Sequence, residues 1–427
     1  MHSILLVSPC FPPVNTPDMH RLRLSIPFLK DYGISYDVLA VEPAWIEAST
    51  DPVLEEHVHF EHVHHVKAFS TKVTRKFGLG NLGYRSVLQL RKAGNRLLKQ
   101  KNYDLIYFST TAFPVMTLGR YWKKRFGLPF VIDMQDPWRN DFYLSKPRKE
   151  RPPKFFIAHR LNSILERRTM KAVDGIVSVS AKYPEVLQER YNRRIPHAVI
   201  PFSASERDFE LLRQIKLKNT VFRKDDSSIY AVYTGALTPG MTETMRFLLK
   251  QFRQLSEATD LKIKLVFVGT SYGKGVEEAY RVRPMAAELG MEDMVLEHPE
   301  RVGYFETLQI LREADLIIFP GSVDPGYTAS KVFPYILSRK PLFVLSNSSS
   351  SVAEIVERSK AGRVICFRDM EDLLSREGEV YESLLALLMN LPDEMQIDMQ
   401  AFEAYTERTM VRKQIGFFRE LLSENRK

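Results

Sequence analysis

Along this chain, short runs of Val, Ile, Leu and Phe alternate with longer stretches whose apolar positions recur three and four residues apart. The first kind of run reads as a buried strand, the second as an amphipathic helix. Ser3–Ser8 (SILLVS) opens the series, followed by the Pro-rich loop PCFPPVNTPDMH and a helix starting near His20, with Leu22, Ile26 and Leu29 on one face. Ser35–Val41 is the next strand, then Tyr103–Ser109, Pro129–Asp133, Gly175–Ser180 and Ala198–Pro201, with a helix spanning Phe155 to Ala172 among them. The alternation restarts at Ile229–Gly235 and runs through Lys262–Gly269, a short strand near Val295, Asp315–Phe319, Pro341–Ser346 and Gly362–Phe367. This order predicts an α/β chain built on parallel sheets. The charged stretch from Phe202 to Ser228 interrupts it once. The expectation is therefore two Rossmann-like domains, 1–203 and 229–398, a linker 204–228, and an amphipathic helical segment 399–427 that packs back on the first domain.

Bulk properties fit that division. A chain of 427 residues exceeds what one hydrophobic core holds. Hydrophobic content of 44% and charged content of 26% exclude a disordered or fibrous chain. The two cysteines, Cys10 and Cys366, lie in opposite halves, too few for a disulfide framework and consistent with a reducing compartment. Ile4–Val7 is too short for a signal sequence, and no run approaches the roughly 18 apolar residues of a membrane span, so a soluble, cytoplasmic protein is expected.

The net charge of +9 is unevenly placed. Between Lys67 and Lys101 there are ten Lys and Arg residues and no Asp or Glu, and a second run, Lys146 to Lys171, holds only Glu150 and Glu166 among its cations. Such stretches attract an anionic membrane, nucleic acid or an acidic substrate, or form a solvated helix face. Nucleic acid is not expected, because the stretch carries no RNA-binding or helix-turn-helix signature. Five histidines, His57, His59, His62, His64 and His65, alternate with Val58, Phe60, Val63 and Val66. That pattern reads as a strand with a polar face rather than a metal cage, and no metal is expected.

Candidate chemistry collects in loops that follow strands. Pro320–Pro341 (PGSVDPGYTASKVFPYILSRKP) breaks from an apolar run into Pro, Gly, Ser and Asp before a helix expected to start near Ser330. In a parallel sheet such a loop lies at the carboxyl edge, where ligands bind. Ser330 or Thr328 as cap, Lys331, and the backbone N–H groups of Tyr327 to Val332 would there form an anion site; a turn serving only packing is the alternative. Asp133, Asp136 and Asp141 gather at the end of another strand, where they can act as base, bind hydroxyls, or cap a turn. The first loop holds no glycine, so no dinucleotide fingerprint is present and no cofactor is expected.

These words together resemble family 4 of the GT-B glycosyltransferases. ILLVSPCFPPVNTPDMHRL is similar to the opening strand and loop, PFVIDMQDPW to the mid-domain acidic strand end, AVYTGALTPGM to the start of the donor domain, and YTASKVFPYILSRKPL to the donor-binding helix. The resemblance implies two Rossmann-like domains facing across a cleft. It further implies metal-independent transfer from a nucleotide-sugar donor to a hydroxyl of a glycan or lipid-linked acceptor, in cell-surface polysaccharide synthesis. Asp136 is then the candidate base, with Asp133, Asp18 and His20 as substitutes. Gly235, Gly240, Arg301, Asp324, Gly326, Tyr327, Thr328, Ser330 and Lys331, with Lys274 near them, supply the donor site. The basic face of the first domain would meet an anionic membrane. Departures are clear: the donor-helix Glu is Pro334, its partner acid is Gly326, and the diphosphate-holding Arg and Lys are Ala236 and Pro239. They keep two other readings open, a non-catalytic scaffold or regulatory subunit and a sugar-nucleotide epimerase.

Overall fold

The computed structural model describes residues 2–139, 141, 144, 147–148, 151, 155–271, 280–324 and 330–424. The chain divides into two units, Met1–Phe202 with Glu407–Lys427, and Ser203–Thr406. In the first, strands β1 (His2–Val7), β2 (Ile34–Val41), β3 (Val63–Val66), β4 (Leu105–Ser109), β5 (Phe130–Met134), β6 (Gly175–Ser178) and β7 (His197–Val199) form one parallel sheet in the order β3-β2-β1-β4-β5-β6-β7. The second unit repeats the winding with β8 (Ile229–Thr234), β9 (Ile263–Val268), β10 (Val295–His298), β11 (Leu316–Phe319), β12 (Leu342–Asn347) and β13 (Gly362–Phe367), ordered β10-β9-β8-β11-β12-β13.

Both central strands are apolar through their length because helices cover the two faces of the sheet. Leu5, Val7, Ile106, Phe108 and Ile132 face one helical layer, and Ile4, Leu6, Tyr107 and Val131 face the other. In each sheet the strand order reverses once, between β1 and β4 and between β8 and β11. A crevice opens there outside the carboxyl ends of the strands, which is where doubly wound sheets take ligands.

The C-terminal helix Glu407–Glu424 belongs to the first unit. Its buried stripe of Met410, Val411, Ile415, Phe418 and Leu421 packs beside the helix His20–Leu29, Gln414 accepts from Ser25 Oγ at 2.9 Å, and Phe418 meets Tyr107 edge-on at 5.0 Å.

Three boundaries differ from the sequence reading. The stretch expected as a linker, 204–228, is part of the second unit, as are residues 399–406. Its many charges hide an amphipathic helix, Glu206–Gln214, that buries Phe209 and Leu212, and Tyr304 Oη donates to Asp208 at 2.9 Å to pin it. The histidine stretch is not one strand: Pro52–His57 is a helix, capped by Asp51, and only Val63–Val66 joins the sheet. Pro52 at the first helical turn and the Asp51 side chain favour that start, outweighing the alternation downstream. Among the described residues no group of His, Cys, Asp and Glu is placed to hold a metal ion.

Candidate active site

The crevice of the first sheet lies between the loops that leave β1 and β4. The β1 loop ends in the short turn Pro17–Met19, which carries Asp18, 4% exposed. Asp18 Oδ2 accepts from the Thr111 N–H at 3.0 Å, from Thr111 Oγ1 at 3.1 Å and from Thr110 Oγ1 at 3.3 Å, so one carboxylate ties the two loops together. His20, half-buried at the head of its helix, accepts at Nδ1 from Arg23 Nε at 3.2 Å.

Asp133 ends in the interior. Its carboxylate is fully buried, Arg21 Nε stands 2.7 Å from Oδ2, and Ser109 Oγ and Gln135 Nε2 donate to the same oxygen at 3.0 and 2.8 Å. Arg21 is itself buried and donates to the Ile200 carbonyl at 2.7 Å, so the pair locks the first helix to the ends of β5 and β7. A carboxylate shut away with its counter-ion cannot meet an incoming hydroxyl. Asp133 thus anchors the first helix to the sheet, and Asp18 is buried with Oδ2 bonded to the two threonines.

Asp136 differs. It lies two residues beyond β5, and its side chain is exposed. Partial loss of hydration to the surrounding protein, and then the negative charge of Asp18, push its carboxyl above the usual range. The loop that carries it is held at both flanks. Trp138 is buried and stacks on Phe113 at 5.6 Å. Glu166, also buried, accepts from the Arg139 N–H at 3.1 Å and from Arg190 Nη1 at 2.7 Å, while Asp141 accepts from Arg139, His159 and Arg190 at 2.7, 2.7 and 3.1 Å.

The second crevice is built with opposite polarity. Gly235 follows β8 with a φ of +119°, a conformation that side chains rarely adopt, and a Cβ there would come 2.6 Å from Lys331 Nζ. The Lys331 amine reaches across from the β11 side, donates to Tyr233 Oη at 2.7 Å and to the Ala236 carbonyl at 3.4 Å, and rests 4.6 Å over the Tyr233 ring. Burial lowers it to about 7. Among the described residues no carboxylate pairs with it. The β8 and β11 loops are stitched by the Val323 N–H to the Gly240 carbonyl at 2.9 Å and by Thr244 Oγ1 to the Gly321 carbonyl at 3.2 Å. Asp324 is exposed beside them, its N–H donating to Ser322 Oγ at 3.1 Å. Arg301 is exposed in the loop after β10, beside Gly269 at the end of β9, on the same edge of the sheet.

Gly326, Tyr327, Thr328 and Lys274 lie outside the described residues. The helix expected near Ser330 starts at Val332, with Lys331 at the cap position and no side-chain capping bond. Ser330 contributes its carbonyl to the Phe333 N–H at 3.4 Å instead of its hydroxyl as a cap. The helix is only six residues, Val332–Leu337, and Pro334 within it has no N–H to offer. What sets its position is Tyr335, whose Oη donates to the Thr234 carbonyl at 2.6 Å and accepts from the Thr234 N–H at 3.0 Å, locking the donor-loop helix to the end of β8.

The comparisons with known proteins follow this geometry. The model of Glycosyltransferase Family 4 matches residues 36–201, all within the first unit. No curated protein matches the chain. Among solved structures, sucrose-phosphate synthase from Thermosynechococcus elongatus superposes with a TM-score of 0.61 at 13% identity, covering 99% of this chain and 100% of that one. Anabaena HepE in complex with UDP-glucose gives 0.62 at 14% identity (98% and 100% covered), and α,α-trehalose 6-phosphate synthase from Burkholderia multivorans gives 0.61 at 10% identity (100% of both). The fold is that of the GT-B glycosyltransferases. The family 4 match runs from within β2 to just past β7, and β8 to β13 form the second Rossmann-like sheet.

Residues that sequence reasoning passed over hold the GT-B crevices in shape: Arg21, Thr110, Thr111 and Gln135 in the first, Tyr233 and Tyr335 in the second. Arg21 sits at a position of the first helix that pattern alone assigns to neither face, and its partner is 112 residues away in sequence. Tyr335 had a readable signal, an aromatic within the donor-helix word.

Proposed function

We propose that this chain transfers a sugar from a nucleotide-sugar donor, held by the second domain, to a hydroxyl of a glycan or lipid-linked acceptor held by the first. The observation that carries this reading is Lys331: an amine set on Tyr233 and the Ala236 carbonyl at the switch point of the second sheet, with no carboxylate among the described residues to neutralise it. A partly desolvated, unpaired cation is a site waiting for an anion. A phosphate of the donor fits it, with Gly235 leaving the space and the Gly235 and Gly240 loops supplying backbone around it. That UDP-glucose is bound by HepE, a chain of the same fold, supports a nucleoside-diphosphate sugar as the donor class.

In the step itself the acceptor oxygen attacks the anomeric carbon. The bond from that carbon to the phosphate oxygen breaks, and the diphosphate leaves with the electron pair toward Lys331. The acceptor proton passes to Asp136, whose raised carboxyl makes it a stronger base than an ordinary aspartate. Gly326, Tyr327, Thr328 and Ser330 extend the donor site, with Arg301 and Asp324 at its rim. The acceptor belongs to cell-surface polysaccharide assembly, and the first domain works in the cytoplasm with its basic face against an anionic membrane.

The test is thermal stabilisation by UDP, GDP, ADP, dTDP and CMP in parallel, followed by donor hydrolysis with the matching nucleotide sugars. A bound nucleotide at a hundred times its dissociation constant raises stability by about 2.7 kcal/mol. Stabilisation by one nucleotide and slow hydrolysis of its sugar are expected; no response to any of the five would overturn the reading. The loss of the donor-helix Glu to Pro334 favours one rival, a scaffold that binds nucleotide without turnover, which would show stabilisation but no hydrolysis or transfer.

A further inference from the structure

The stretch after β3 stands out from the rest of the surface. It leaves the carboxyl end of that strand, turns through Thr71–Thr74 and Arg75–Phe77, and enters the helix Leu82–Gln100. Along it Phe69 is 46% exposed, Val73 58%, Phe77 75% and Leu79 39%. Lys67, Lys72, Arg75 and Lys76 are exposed between them. The stretch contains no acid of its own, and the acid paired to it is Glu47, 2.9 Å from Arg75. Nothing in a folded chain is gained by holding Phe77 in water at the tip of a turn, since its burial would be favourable.

A second basic segment behaves alike. The helix Phe155–Met170 begins with Phe156 and Ile157 exposed at 56% and 71%, with Arg160 beside them and Arg151 lying 5.0 Å over the Phe156 ring. Tyr84 Oη donates to Asn162 Oδ1 at 3.3 Å, which links the first turn of one helix to the middle of the other. In a parallel sheet every crossover helix starts at the edge where the preceding strand ends. Both segments therefore stand on the edge that carries Asp18 and Asp136.

We propose that this edge of the first domain docks on an anionic phospholipid bilayer, with Phe77, Val73 and Leu79 entering the interface and Lys72, Arg75 and Lys76 on the headgroups. The proposal rests on the membrane-apposed reading above and names the surface and the side chains. Large apolar groups alternating with cations inside one turn match an interface that is apolar below and anionic above. Val73 and Leu79 offer nothing to a nucleic acid, whose recognition needs stacking rings or hydrogen-bond donors. Among the described residues no helix is long and apolar enough to cross a membrane, so docking is from one side.

The experiment is co-sedimentation of the full chain with vesicles of phosphatidylcholine alone and of phosphatidylcholine mixed equally with phosphatidylglycerol. The anionic vesicles should bind about tenfold more protein, and the double variant Val73→Glu, Phe77→Glu should lose that about tenfold advantage. Both positions are exposed, so the variant's melting midpoint should stay that of the parent. Equal binding to both vesicles, or binding that the double variant leaves unchanged, overturns the proposal. So does a parent chain that elutes as a dimer which the variant splits, because a second copy would then cover the surface. Nucleotide-induced stabilisation measured on the same samples separates the two readings: if it persists while vesicles are ignored, the surface is wrong and the transfer reading stands.

Discussion

The two switch points share a topology and are wired in opposite ways. In the first sheet the acids are held within the protein: Arg21 faces Asp133, and Asp18 accepts from the threonines of the β4 loop. Asp136 is exposed, and its carboxyl is raised. In the second sheet the amine has no counter-charge among the described residues and is held over Tyr233 in a space that Gly235 leaves open. A crevice whose acids are tied down by internal bonds is held rigid. One that leaves an amine uncompensated gives up some stability and keeps attraction for an anion.

That contrast can be broken most directly at Asp136. Asp136→Asn should lower transfer or donor hydrolysis by about 10²–10⁴-fold while leaving nucleotide-induced stabilisation intact, measured by turnover beside thermal shift. Arg21→Ala attacks the internal pairing instead and leaves the buried Asp133 uncompensated, so a loss of about 3–5 kcal/mol is expected in denaturant unfolding. Lys331→Met should do the reverse. It should leave stability level or higher and weaken nucleotide binding by roughly tenfold or more, read by calorimetry, since one charge-assisted contact is lost. Gly235→Ala, which would drive a methyl into the amine, should weaken nucleotide binding with Lys331 still present, by a smaller factor than Lys331→Met.

The gentlest test is pH. The Lys331 amine is held at about 7 against an ordinary 10.5, so between those values the unfolded chain binds a proton that the folded one does not. Stability should therefore rise with pH across that window from this group, and nucleotide affinity should fall as pH climbs through about 7. Both trends should vanish in Lys331→Met. On the acidic side, Asp18→Asn removes the charge that helps to raise Asp136, so the acid limb of the activity profile should move to lower pH.

Much of the fold was legible because its signals are local. β1, β2, β4, β5, β8, β9, β11, β12 and β13 each coincide with an apolar run, since a strand covered on both faces must be apolar throughout. The exceptions are instructive. The charges of 204–228 suggested a linker, yet Phe209 and Leu212 are enough to seat a helix on the second unit. The alternating histidines suggested a strand, yet His57 ends a helix that Asp51 and Pro52 start, and only Val63–Val66 is a strand.

The site was legible to a lesser degree. Chain order alone put Asp18, His20, Asp133, Asp136, Gly235 and Lys331 after strands, hence at carboxyl edges, because parallel strands joined by helices must all end on one side. Which of these acids is exposed depends on contacts between positions far apart in sequence. Asp133 became an anchor because Arg21 lies against it, and Lys331 sits against Tyr233 and Ala236 because the β8 and β11 loops meet at Gly235. Periodicity and strand-end placement belong to the sequence, since each is written within a few residues. The state of charge at each crevice belongs to the tertiary structure, since burial and pairing exist only once distant strands lie side by side.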